Sequence, residues 1–279
     1  MKFPAIRSTR RSLTSSSLLS QSRAIRVEGG VDVAVLADAT ASMELFIDAV
    51  KTHSMELLRR LVARHQHLRM TFGFYRDHTC QTPFSFFGDG GPKHGEFIGA
   101  SRVDQLRKFV DGAGFTEGND TSVEALGAGL LFASQLPWVA RNRVLVCVGD
   151  HASHGYAREF VPEFAGDHDS IELCEFGMTH ERILACLSRA RIRCFMVRCG
   201  RDAPAEQQYR DIANKTGGRF VDFQNVEEGD GLTAAVEAAV AESQGGSAVA
   251  LLERKRREGQ ISDQSAVALI QAFGGKERP

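Results

Sequence analysis

Val31-Asp32-Val33-Ala34-Val35-Leu36-Ala37-Asp38-Ala39-Thr40-Ala41-Ser42 is the stretch on which the fold turns. Val31 to Ala37 is a short, β-branched apolar run and reads as a buried strand. The polar cluster after it stands at that strand's carboxyl end, where open α/β sheets place their ligand sites. Asp38, Thr40 and Ser42 are two residues apart, so an extended turn aims all three oxygens to one side. One carboxylate and two hydroxyls make a hard-oxygen cradle for a divalent cation such as Mg²⁺. The same residues would also serve as an N-cap for a helix opening near Met43. The rest of the chain has to decide between the two.

Outward from this stretch, strands and helices alternate. Met43, Phe46, Ile47, Val50, Leu57, Leu58 and Leu61 recur at helical spacing, which predicts an amphipathic helix to about Arg64. Leu68 to Tyr75 reads as a second strand, and Gln81 to Gly99 as loops with a short edge strand near Phe97. Val103 to Val110 reads as a short helix, and a helical pattern runs from Ser122 to Leu136, where Pro137 ends it. Arg143 to Gly149 is a third apolar strand. A long irregular connection, Ala152 to Thr179, precedes a helix at Glu181 to Ala190, a strand at Ile192 to Val197 and a helix at Ala205 to Thr216. Strand Arg219 to Asp222 and a helix at Leu232 to Ala241 complete the pattern. The prediction is a doubly wound, mostly parallel sheet flanked by helices. Residues 30–243 form this domain, 1–29 a basic arm and 244–279 a helical tail.

Three polar clusters fall after strands or before helices. They are Asp38, Thr40 and Ser42; then Gly118-Asn119-Asp120-Thr121, entering the helix that carries Glu124; then Gly149-Asp150. A doubly wound sheet can bring all three loops to one edge. Asp38, Asp120 and Asp150 would then repel one another, and a bound cation resolves the repulsion.

These motifs resemble the metal-ion-dependent adhesion site of von Willebrand factor type A (VWA) domains. Phe74-Tyr75-Arg76-Asp77-His78, Gly118-Asn119-Asp120, Glu124-Ala125-Leu126, Trp138, Gly149-Asp150 and His154-Gly155 resemble the branch found in hemicentin and beside alpha-type protein kinases. The resemblance spans about Val31 to Ala241. It implies a Rossmann-like fold with Asp38, Thr40, Ser42, Asp120 and Asp150 as metal ligands, Asp150 often through water. It implies Mg²⁺, with Mn²⁺ and Ca²⁺ accepting the same ligands. It also implies an open metal position that captures an Asp or Glu of a protein partner, which makes the domain a binding module rather than an enzyme. Three positions depart from the family pattern. Asp120 stands where many members have threonine, Thr40 where serine is commoner and Ala41 where glycine is frequent.

Other residues have two readings each. Asp77 serves as an outer-sphere ligand or as a turn former beside Arg76. Thr121, His151 and His154 would lie around the crevice, the two histidines shaping its rim. Ser153 between those histidines, beside Asp150, invites a hydrolase reading, but no G-x-S-x-G elbow is present. A metal-assisted phosphohydrolase is the strongest enzyme rival, though no Lys or Arg stands in the three loops to hold phosphate. A structural VWA-like domain that binds no metal is the third reading. His168 between Asp167 and Asp169 reads as a solvated acidic loop. No nucleotide-binding glycine motif follows the first strand.

Composition excludes several classes. Of 279 residues 43% are hydrophobic and 25% charged, and the net charge is −1, so nucleic acid is not an expected partner. No apolar stretch is long enough to span a bilayer. The six cysteines include no C-x-x-C pair, which suits an intracellular, reducing compartment, the cytoplasm first. Met1 to Val27 holds six basic residues and no acid. That is the composition of a disordered arm, with an organellar import segment as the second reading. The tail repeats SAVAL at Ser247 to Leu251 and Ser265 to Leu269, which reads as chance repetition first and as a docking or self-association element second. Its block Glu253 to Glu258 reads as a solvated helix face.

Overall fold

The computed structural model describes residues 30–44, 61, 67–88, 95–114, 124–156, 174–223 and 229–275. Its centre is a six-stranded sheet built from β1 (Val31–Asp38), β2 (Leu68–Tyr75), β3 (Phe84–Phe86), β4 (Asn142–Gly149), β5 (Arg193–Cys199) and β6 (Phe220–Phe223). The strand order is β3-β2-β1-β4-β5-β6, with β3 antiparallel and all other pairs parallel. The predicted doubly wound α/β architecture is what the chain adopts.

Strict alternation along each strand divides the core into two layers. Val31, Val33 and Val35 of β1, with Val144, Val146 and Val148 of β4, point to one face. That face is covered by α1 (Val103–Asp111), α5 (Gly229–Ser243), α6 (Ala248–Arg257) and α7 (Asp263–Gly274). Ala34, Leu36, Leu145 and Cys147 point to the other, under α2 (Leu126–Ser134), α3 (His180–Ala190) and α4 (Ala203–Thr216). Cys147 and Cys194 are buried in strands as expected, and all six cysteines are free thiols.

Strand order reverses at β1. The chain leaves it towards β2 on one side, and β4 joins it on the other, so a crevice opens between their carboxyl ends. Asp38 ends β1 and Asp150 follows β4, so both stand at this switch point. The opposite end of β1 is closed by Asp32. Its carboxylate accepts from Arg69 Nε at 2.8 Å and Nη2 at 2.7 Å, and from the backbone N–H groups of Val139 (2.7 Å) and Ala140 (2.8 Å). This fully satisfied buried acid ties β2 and the approach to β4 onto β1.

Several elements differ from expectation. The helix expected from Met43 lies almost wholly outside the described residues, which show a 3₁₀ turn at Ala41–Met43. The edge strand is Phe84–Phe86 rather than the vicinity of Phe97. Ile98 makes only an isolated bridge to Met70, so two short pieces share the β2 edge. The basic arm, Asp120, Thr121 and His168 lie outside the described residues. The tail is two helices, with a turn at Gly259 (φ 66°) separating the SAVAL segments, and it does not stand off the domain. Leu252, Ala266, Leu269 and Phe273 join the first core layer, and the Phe273 ring stacks on Phe195. The basic block is not wholly solvated either. Lys255 is buried and meets the buried Glu237 of α5 at 2.8 Å. Among the described residues no helix is long and apolar enough to cross a membrane.

Asp32→Ala should cost about 3 kcal/mol of stability, because it strands two buried N–H groups and the Arg69 guanidinium together. Urea unfolding of the variant measures this; a loss below about 1 kcal/mol would show that the strand pairing does not depend on this carboxylate.

Candidate metal centre

Asp38 is wholly buried. Its Oδ1 accepts from the Thr40 backbone N–H at 2.9 Å and from Thr40 Oγ1 at 2.8 Å. The Thr40 hydroxyl has one proton and gives it to Asp38, so in the 3.1 Å contact between Thr40 Oγ1 and Ser42 Oγ the serine must donate. The exposed Ser42 hydroxyl therefore keeps its lone pairs for an incoming group. No side-chain hydrogen bond caps the 3₁₀ turn after Thr40, and the first turn of the helix that these residues would cap lies outside the described residues. Asp38 Oδ2 is buried without a hydrogen-bond partner.

Three more acids act on this carboxylate or on one another. Burial and the charge of Asp150 raise the Asp38 pKa well above its ordinary value, although the Thr40 hydrogen bonds and the His151 charge oppose them. Glu124, just before α2, is buried and its Oε2 has no partner. Desolvation, then the charges of Asp38, Asp150 and Asp77, push its carboxyl up to about 11. Asp150 Oδ1 lies 3.0 Å from His151 Nδ1. Burial pulls the half-buried His151 imidazole down, but the contact with Asp150 and the charges of Asp150, Asp202 and Asp38 outweigh it and raise its pKa.

Backbone contacts around Glu124 hold the loops together. Its N–H donates to Ala152 O at 3.1 Å, its C=O accepts from His154 N at 3.2 Å, and the Ala125 N–H reaches Arg76 O at 3.1 Å. This short bridge ties the entry to α2 to the loops after β2 and β4. Gln208 of α4 clamps the β4 loop from below: its Oε1 accepts from the Ser153 N–H at 2.8 Å and its Nε2 donates to the Ser153 hydroxyl. Tyr209 donates to His151 O at 3.2 Å. The hydroxyls of Tyr75 and Tyr209 pack so closely over Gly149 that a Cβ there would collide with both. Only glycine lets β4 end beneath these two rings.

The residues expected around the crevice separate into two groups. His151 stands at the margin, its side chain 28% exposed. His154 does not shape the rim. It is buried, and its Nε2 meets Asp77 Oδ1 at 3.1 Å while Nδ1 has no partner, so the Nε2–H donates. Asp77 also accepts from the His78 backbone N–H. Ser153 is buried under Gln208, while its histidine neighbours pair with Asp150 and Asp77. Glu124, Gln208, Tyr75 and Tyr209 were not singled out as site residues from the sequence. The signals for Glu124 were its place in the Glu124-Ala125-Leu126 motif and its spacing of four residues from Asp120.

The donors fit a hard divalent cation. Two carboxylates and two hydroxyls on adjacent loops offer only oxygen, and Asp38 Oδ2 is a buried acceptor that nothing in the protein satisfies. Among the described residues no three His, Cys, Asp or Glu side chains form a cage of their own. Asp38 and Asp150 with Thr40 and Ser42 would thus supply an incomplete coordination sphere.

The raised Glu124 carboxyl predicts a pH dependence. A group whose folded pKa exceeds its ordinary 4.5 stabilises the fold most below that value, and the contribution drains away as pH rises towards about 11. With a chelator present, stability should fall between about pH 5 and about pH 9, and Glu124→Gln, which cannot ionise, should flatten the fall. Urea midpoints at the two pH values read this; equal slopes for the two proteins would contradict it.

No family model matches the chain, and no curated protein matches it significantly. Among solved structures, proximal thread matrix protein 1 from the mussel byssus superposes with a TM-score of 0.51 at 11% identity, over 76% of this chain and 46% of that one. A second crystal form gives 0.49 at 11% identity, over 75% and 45%. The chain spans a little under half the length of that protein. At this identity the likeness carries the fold alone, which is a VWA-like, Rossmann-type α/β architecture.

Proposed function

We propose that this chain is a divalent-cation-dependent protein-interaction module of the VWA type, in the hemicentin-like branch. Asp38, Thr40, Ser42 and Asp150 hold Mg²⁺, with Asp120 as a further ligand from outside the described residues. The ion keeps a position open for an Asp or Glu of a partner protein. One observation carries the reading: a buried, unpartnered carboxylate oxygen at the topological switch point, beside a second acid and two ordered hydroxyls. A carboxylate so placed is costly without a counter-charge, and a cation bound by oxygen supplies one. The cation in turn attracts and orients an incoming carboxylate. A phosphohydrolase would need a cation free to hold phosphate at this crevice. Arg76 stands beside Asp77, but its guanidinium is directed to the carbonyls of Thr82 and Gly114 in the cleft beside α1.

Calorimetric titration with Mg²⁺ and with Mn²⁺ tests the reading. Wild type should bind one ion saturably, and Asp38→Ala and Asp150→Ala should each weaken binding more than about ten-fold. A folded wild type that binds neither ion would overturn it and leave the loops as turns and caps.

A further inference from the structure

A cleft of about 520 Å³ opens between the β2–β3 edge of the sheet and α1, within the size range of small-molecule sites. Arg76, Thr82 and Ser85 line one side, and Lys108, Phe109 and Gly114 the other. Arg76 is only 6% exposed. Its Nη1 donates to Thr82 O at 3.1 Å and its Nη2 to Gly114 O at 2.8 Å, so the guanidinium is stretched between the two walls. Its Nε–H, also buried, has no acceptor. Neutral carbonyls satisfy two donors but leave the charge uncompensated, and the Asp38 charge reaches it only through space.

Two further features point to a ligand. Lys108, exposed on α1 at the mouth of the cleft, is a second cation without an ionic partner among the described residues. Among the described residues no Asp or Glu lines the cleft, although the chain as a whole has one more acid than base. The wall between the cations is apolar: Phe109 is half-buried with its ring 5.7 Å from that of Phe74.

We propose that this cleft binds a small organic carboxylate with a short apolar body. The carboxylate meets the part of the Arg76 guanidinium that lines the cleft and the Lys108 ammonium, and the body lies along Phe109. Arg76 provides a fixed donor and Lys108 a movable one. An inorganic anion would satisfy the charge but leave most of the cleft unfilled and gain nothing from the apolar wall. The proposal is independent of any cation at Asp38.

The test is an amide-shift NMR titration of the full chain in EDTA, with phenylacetate, its neutral analogue phenylacetamide, and inorganic phosphate as probes. Phenylacetate should shift the Thr82, Ser85, Lys108 and Gly114 amides saturably. Phenylacetamide should bind at least about ten-fold more weakly, and Lys108→Glu should weaken phenylacetate by a similar factor. Arg76→Gln should abolish binding, but it also releases two carbonyls and risks unfolding the loop; Lys108→Glu on the exposed helix face does not. Four outcomes would overturn the proposal: equal binding of phenylacetamide, phosphate binding as tightly as phenylacetate, shifts centred on the Asp38 and Asp150 loops, or no saturation at about 20 mM probe.

Discussion

The arrangement at the crevice depends on one constraint: the central strand ends in a carboxylate that the fold keeps from water. β1 has neighbours on both sides and helices over both faces, so its last residue can reach solvent only along the strand axis. Thr40 closes that direction by bonding the same carboxylate twice. What remains is one bare oxygen in a low-dielectric setting, and the packing of the surrounding loops exists to hold it there. The Glu124 backbone bridge, the Gln208 clamp and the two tyrosine hydroxyls over Gly149 all act on the loops that border it.

The two ends of β1 solve the same problem in opposite ways. At Asp32 both oxygens are hydrogen-bonded, by a bidentate arginine and two backbone donors, and the result is purely structural. At Asp38 the donor set is left one short. The same contrast separates the buried arginines. Arg198 is matched by Asp222 and Glu206, while Arg76 is tethered only to carbonyls. On the proposed reading, incomplete compensation in otherwise satisfied surroundings would mark a binding position, and full compensation a staple.

Much of the fold was legible in the sequence, because parallel strands buried on both faces must be continuous apolar runs. Val31 to Ala37, Leu68 to Tyr75 and Arg143 to Gly149 announced themselves in this way, and polar residues immediately after two of them marked the crevice edge. The edge strand was displaced because Phe97 and Phe84 sit in equally aromatic, Gly-rich surroundings, and only pairing with β2 chooses between them. The tail was misread as separable because its helices are short and interrupted at Gly259, yet packing on β5 and β6 holds them. Lys255 lies inside a run of four basic residues, where nothing local distinguishes the one that turns inward. Gln208 and Tyr209 reach the loops only through tertiary contacts, for which no local spacing exists.

The Glu237–Lys255 contact also has a consequence for how the chain is made. The ribosome delivers Glu237 well before Lys255, and α5 must bury that carboxylate against the sheet for the first core layer to close. Until the lysine has left the exit tunnel, this buried ion pair is missing from the layer. The first core layer therefore closes only after α6 and α7 have followed α5 out of the tunnel. A nascent chain stalled short of that point would present an open sheet face to chaperones.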